Sequence, residues 1–165
     1  MLYLHSIGCR RIGLINGPLI VDPFKERYLG YSKAVADLKL EEIVYTAEQS
    51  SFDYYNLGYS GLLNLVEQYG AIDGVVVATE LEGMGVLSAL KLLKKRVPED
   101  VCVITLTGNS IGKLLETPLT SMDIPINQMG IKAVDILDDL LRSEEHKYIQ
   151  HIVFNHTLVL RKTTR

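Results

Sequence analysis

Two stretches, GVVVA at 74–78 and VCVITL at 101–106, are almost continuously aliphatic. A strand with one face in water alternates apolar and polar residues. A run without that alternation needs cover on both faces, which the crossover helices of a parallel sheet provide. RIGLI at 11–15 and EIVYT at 42–46 supply two more strands of strand-like composition. Helical periodicity fills the gaps between them. One helix is predicted from Lys25 to Leu38. A second follows SSFDYYNLGY and runs to Tyr69, with Leu62, Leu63, Leu65 and Val66 on its buried side. A third spans Glu80 to Lys94, with Met84, Leu87, Ala89, Leu90 and Leu93 turned inward. The fold class expected is α/β, a doubly wound open sheet with all strands parallel.

Composition removes several functions. The 165 residues carry a formal charge of only −3, and Lys and Arg are scattered, so no face is basic enough to neutralise several phosphates. Nucleic acid is not an expected ligand of this stretch. The longest apolar runs fall far short of the roughly 20 residues that span a bilayer, and no membrane partner is expected. Cys9 and Cys102 are remote in sequence and form no CxxC, so they read as small hydrophobes in a reducing compartment. The opening MLYLHSIGCRR reads as the last turns of a helix, with His5 and Gly8 at its end and Gly8 suited to the left-handed conformation that stops one.

In open parallel sheets, ligands bind beyond the carboxyl ends of the strands, where neighbouring connections part to opposite faces. The loops there are Gly17–Phe24, Ala47–Asp53, Thr79–Glu82 and Thr107–Ser110. NGPLIVDPFKER at 16–27 has one glycine where a dinucleotide fingerprint needs three. No HExxH helix occurs, and no nucleophile and base pair can be assembled. No catalytic residue, cofactor or metal ligand is therefore expected. His146, His151 and His156 read as surface residues.

LLETPLTSMDIPINQMGIKAVDILDDLL at 114–141 places a new amphipathic helix near the end of the sequence. Pro125 is suited to its first turn, and Ile126, Met129, Ala133, Leu137 and Leu140 form one stripe opposite Lys132, Asp135, Asp138 and Asp139. Nothing obvious in the rest of the chain covers that stripe, and in a crystal a second copy is the expected cover.

HSIGCRRIGLINGP, ERYLGY, LGYSGLLNLVEQ, VVVATELEGMGVLSAL, RVPEDVCVI, TPLTSMDIPINQMGIKAVDILDDLL and LVLRKTT together resemble the effector-binding core of the lactose-repressor and purine-repressor family of bacterial transcription regulators. The matches keep the family's order. The resemblance implies a periplasmic-binding-protein-like type I fold in which two α/β subdomains hold an effector between them. Residues 1–120 would form the C-terminal effector-binding subdomain, 121–150 a crossover and helix of the N-terminal subdomain, and 151–165 a returning strand. The rest of that first subdomain and the helix-turn-helix that contacts DNA would lie upstream of Met1.

Carried over by position, the resemblance implies effector contacts from Arg27, Phe52, Asp53, Thr79, Thr107 and Asn109. Arg27 matches an arginine that forks hydrogen bonds to the ligand. Phe52 or Asp53 falls near an aromatic stacking position, and Thr79 falls where asparagine or threonine is common. Thr107 replaces an aspartate, with Asn109 as a possible substitute. Tyr54, Tyr55, Met84, Leu87, Leu114 and Leu115 match a homodimer interface, though the aliphatic ones also suit an ordinary core. A cytoplasmic, non-enzymatic regulator sensing a sugar, sugar phosphate or purine is implied. A periplasmic sugar-binding receptor shares the fold and is the alternative.

Overall fold

The computed structural model describes residues 1–48, 53–108, 111–142 and 150–165. A short helix α1 (Leu2–Ser6) precedes β1 (Ile12–Asn16), α2 (Asp22–Leu38), β2 (Ile43–Thr46), α3 (Tyr54–Tyr69), β3 (Gly74–Val77), α4 (Glu80–Leu92) and β4 (Cys102–Gly108). A single 3-10 turn (Gly112–Leu114), β5 (Thr120–Asp123), α5 (Ile126–Arg142) and β6 (Thr157–Val159) complete the chain. The strands form one sheet in the order β2-β1-β3-β4-β5-β6.

Five strands are parallel, and β6 pairs antiparallel with β5. The all-parallel expectation is thus corrected at the last strand. A parallel pairing needs a long crossover ending on the same side of the sheet, whereas this segment comes back from α5 in the opposite direction. The expected boundary at residue 120 falls inside β5, whose residues Thr120 and Ser121 pair with Ile104 and Thr105.

Burial follows the reasoning from apolar runs. Every residue of β1 and of β3 is buried. Ile15, Val75, Val77 and Val103 pack with Leu62 and Leu65 of α3 and Val86, Ala89 and Leu90 of α4. Leu14, Val76, Cys102 and Ile104 face the other way, towards α1 and towards Tyr31 and Val35 of α2. Two cores on two faces are the physical meaning of continuous apolar strands.

Helices α3 and α4 cross so closely that glycine is required at the contact. A Cβ on Gly58 would lie 2.0 Å from the Glu82 carbonyl oxygen, and one on Gly85 would lie 2.0 Å from that of Tyr55. α2 begins at Asp22, three residues earlier than predicted, because Pro23 fits the first turn, where no intrahelical N–H is needed. α1 ends as expected: Gly8 has φ +100°, and its N–H bonds the His5 carbonyl at 3.1 Å.

The terminal LVLRKTT motif has a structural role that its sequence does not disclose. Thr163 Oγ1 donates to the Val103 carbonyl at 2.7 Å and accepts from Thr120 N–H at 2.8 Å, and Arg161 donates to the Leu119 carbonyl at 2.7 Å. These bonds fasten the tail beneath β4 and β5. α5 buries no residue: Ile126, Met129, Leu137 and Leu140 of the predicted apolar stripe are exposed by 57, 43, 55 and 47 %. Among the described residues the stripe is left uncovered.

Candidate functional site

The switch in strand order lies between β1 and β3, since β2 is added on one side of β1 and β3 on the other. Polar groups collect at the carboxyl ends there, where the apolar runs stop. Asn16, the last residue of β1, is fully buried and donates Nδ2–H to the Phe24 carbonyl at 2.7 Å. Its Oδ1 has no partner. Arg27, half-buried on the second turn of α2, stacks over the Phe24 ring at 5.3 Å to the centroid, and its Nη1 is buried without a hydrogen bond.

At the end of β3 the chain turns into α4 through a reciprocal cap. Thr79 Oγ1 accepts from Glu82 N–H at 3.2 Å, and Glu82 Oε2 accepts from the N–H groups of Ala78 at 2.6 Å and Thr79 at 3.1 Å. This is the Thr-x-x-Glu box, which satisfies otherwise orphaned helix donors. Glu82 is fully buried, and its second oxygen, Oε1, has no partner. Burial raises its carboxyl to about 7, against the opposing pull of the Thr79 and Ala78 N–H groups and of the Arg27 charge. Arg27 is therefore near enough to act on Glu82, yet one oxygen of Glu82 and one nitrogen of Arg27 remain unbonded.

Thr107, towards the end of β4, donates Oγ1–H to the Ala78 carbonyl at 2.9 Å. Its oxygen remains able to accept, whereas the Thr79 hydroxyl, already accepting, retains its proton to donate. Thr105 lies lower, facing Gly83 of α4, with its Oγ1 buried and unbonded. Below Arg27 an apolar cavity of about 500 Å³ opens on the sheet face, lined by Leu14, Tyr31, Val76, Ile104 and Leu106 among others.

Of the residues predicted for effector contact, Arg27, Thr79 and Thr107 are brought to this edge. Asp53 caps α3, accepting from Asn56 N–H at 3.1 Å. Phe52 and Asn109 lie outside the described residues, as does His146. Asn16 and Glu82 were not predicted. The Thr79-x-x-Glu82 spacing carries the capping signal, but its consequence, a buried carboxylate, depends on how closely α3 approaches.

Four residues of the predicted interface meet elsewhere. Tyr55, Met84, Leu87 and Leu115 line a groove of about 680 Å³, rimmed by Lys91, Lys94 and Lys95. Leu87 and Leu115 also pack on the core. Leu114 is 78 % exposed beside them, and Tyr54 is half-buried at the start of α3.

An open, mostly parallel doubly wound sheet, with its polar groups gathered where the strand order switches, defines a ligand-binding α/β domain of the doubly wound class. The chain belongs to the family of periplasmic binding protein-like domains, which residues 1–164 match, in the form carried by lactose- and purine-repressor-type regulators. It is 28 % identical, over 94 % of its length and 46 % of the relative's, to the HTH-type transcriptional regulator CelR of Thermobifida fusca. It is 26 % identical, over 99 % of its length and 48 % of the relative's, to the ribose operon repressor of Halalkalibacterium halodurans. A solved CelR–cellobiose complex superposes with a TM-score of 0.83 at 28 % identity, covering 98 % of this chain and 49 % of that one. The chain thus spans about half the length of the curated relatives it matches. These relatives are transcription regulators, and no helix among the described residues is long and apolar enough to cross a membrane.

Proposed function

We propose that this chain supplies one wall of the effector-binding cleft of a cytoplasmic transcription regulator, and that the effector is a neutral, hydroxyl-rich small molecule such as a sugar. The observation that carries the reading is the set of unbonded buried polar atoms at the strand ends: Asn16 Oδ1, Arg27 Nη1 and Glu82 Oε1. Each unsatisfied buried group costs about 1–3 kcal/mol, a cost relieved when a ligand hydroxyl seats among them. A hydroxyl both donates and accepts, so it suits a cation and a carboxylate close together. With Glu82 raised to about 7, a hydroxyl suits either protonation state, whereas a phosphate meets a like charge whenever Glu82 is ionised, which favours a sugar over a sugar phosphate. The cellobiose bound in the CelR complex supports the same class.

In this reading Arg27, Thr79, Thr107, Asn16 and Glu82 hold the effector, and Phe52, Asp53 and Asn109 are the further contacts that the family resemblance implies. Residues 1–120 form the effector-binding subdomain, and 121–150 lead through α5 to a second one, consistent with a helix that buries nothing here. Residues 151–165 return and fasten beneath the sheet. Tyr54, Tyr55, Met84, Leu87, Leu114 and Leu115 form the homodimer contact. DNA is contacted by a helix-turn-helix outside these residues, as the names of the relatives suggest. An effector that bridges two subdomains would favour one orientation of them and so change DNA affinity by population shift. No chemistry is performed on the effector.

The test is a thermal-shift series on this chain with cellobiose, ribose, a sugar phosphate and a purine at millimolar concentration. Ligand at ten times Kd stabilises by about 1.4 kcal/mol, so a neutral sugar is expected to raise the melting temperature by a few degrees, and Arg27→Ala to abolish the rise. A response confined to the purine or the sugar phosphate would overturn the assignment.

A further inference from the structure

Cys9 and Cys102, 93 positions apart in sequence, come together at the opposite end of the sheet from the effector residues. Cys9 lies between α1 and β1, and Cys102 opens β4; both are completely buried in the same apolar cluster. The Asp73 carbonyl binds both residues, accepting Cys102 N–H at 3.0 Å and the Cys9 thiol at 3.4 Å. Gly74 is the register partner of Cys102, and a Cβ placed on it would lie 3.5 Å from both Cβ and Sγ of Cys9. Register partners on parallel strands are about 4.8 Å apart. No side chain at Gly74 separates the two thiols, and the Cys102 thiol donates to the Pro98 carbonyl at 3.5 Å.

We propose that Cys9 and Cys102 are a redox pair that closes to an intramolecular disulfide when the protein meets a peroxide. Disulfides require Cβ atoms about 3.5–4.5 Å apart, a separation within reach of small side-chain adjustments in this arrangement. The Cys9 thiol and, after it, the backbone N–H and guanidinium of Arg165 hold the Cys102 thiol down to about 6 against burial, while the Cys102 side chain and burial push Cys9 up. The Arg165 charge beside Cys102, which favours a thiolate there, makes Cys102 the attacking sulfur. Both thiols are buried in the closed fold, so the step starts when the apolar cluster opens locally and admits the peroxide. The Cys102 thiolate attacks one peroxide oxygen and becomes a sulfenic acid, and the O–O bond breaks, the other oxygen taking up the proton the thiol gave up and leaving as water. The sulfur of Cys9 then displaces that hydroxyl as a second water while losing its own proton. Two thiols and one peroxide give one disulfide and two waters, with two electrons passing to the peroxide. Because the bond closes a long loop far from the strand-end site, it stiffens the sheet without occupying the cleft.

The experiment exposes the full chain to millimolar hydrogen peroxide in native buffer, traps free thiols with N-ethylmaleimide and maps the peptides by mass spectrometry. The expected result is a monomer 2 Da lighter, with the Cys9 and Cys102 peptides joined. Dithiothreitol should reverse the link, and the melting temperature of the oxidised form should be about 5 °C or more higher. In Cys9→Ser, which lacks the resolving thiol, Cys102 should instead run on to sulfinic acid. Recovery of both cysteines as maleimide adducts, links only between chains, or a link that forms only in urea would each overturn the proposal.

Discussion

Replacing Glu82 by glutamine tests the buried cap at the centre of the candidate site. A carboxyl group that titrates near 4.5 in the open chain and at about 7 in the fold keeps its proton longer in the native state. Below 4.5 both states are protonated and the group is neutral to folding. As pH rises from 4.5 towards 7 the unfolded chain releases the proton first, so stability falls, and above 7 the loss is complete. At about 1.4 kcal/mol per pH unit, the interval corresponds to about 3 kcal/mol. In Glu82→Gln the amide oxygen can still accept from Ala78 and Thr79 N–H, and no charge has to be buried. Urea denaturation followed by circular dichroism at pH 5, 6, 7 and 8 should show the variant little different from wild type at pH 5 and more stable by about 3 kcal/mol at pH 8. Other groups, including Cys102, titrate alike in both proteins and cancel in the difference. A stability difference that stays flat from pH 5 to 8 would refute the argument, because it would mean that Glu82 titrates no differently folded or unfolded.

Gly85→Ala drives a methyl group into the Tyr55 carbonyl at the α3–α4 crossing and should cost at least about 2 kcal/mol, seen as a fall of about 5 °C or more in melting temperature. Gly30→Ala, on an α2 surface where nothing lies within 4 Å of the new Cβ, should instead stabilise by up to about 1 kcal/mol in the same assay. Tyr31→Phe removes the buried hydroxyl that donates to the Ile12 carbonyl at 2.8 Å and accepts from Ile43 N–H at 3.0 Å. Chemical denaturation should register a loss of about 1–3 kcal/mol, since the partners are left unpaired.

Particular residues show where sequence reasoning reached and where it stopped. Val75, Val76 and Val77 lie in one unbroken apolar run, and that alone required helices on both faces, because adjacent strand residues point to opposite sides. Helix positions and the strand-end loops followed from the same local periods, and Arg27 at the sheet edge followed from a recognisable local motif. The antiparallel β6 was not legible: three residues, Thr157–Val159, pair with β5 through contacts some 36 positions away, from Asp123 with Thr157 to Ser121 with Val159.

Local composition therefore determined the class of fold, the number and order of the main elements and the edge of the sheet where the polar groups gather, since these depend on neighbours within a few residues. Tertiary structure alone decided that Glu82 is buried where α4 crosses α3, with one carboxylate oxygen left unbonded, and that Cys9 comes beside Cys102 across Gly74. Burial and long-range proximity are properties of packed elements, and no window of sequence contains both partners.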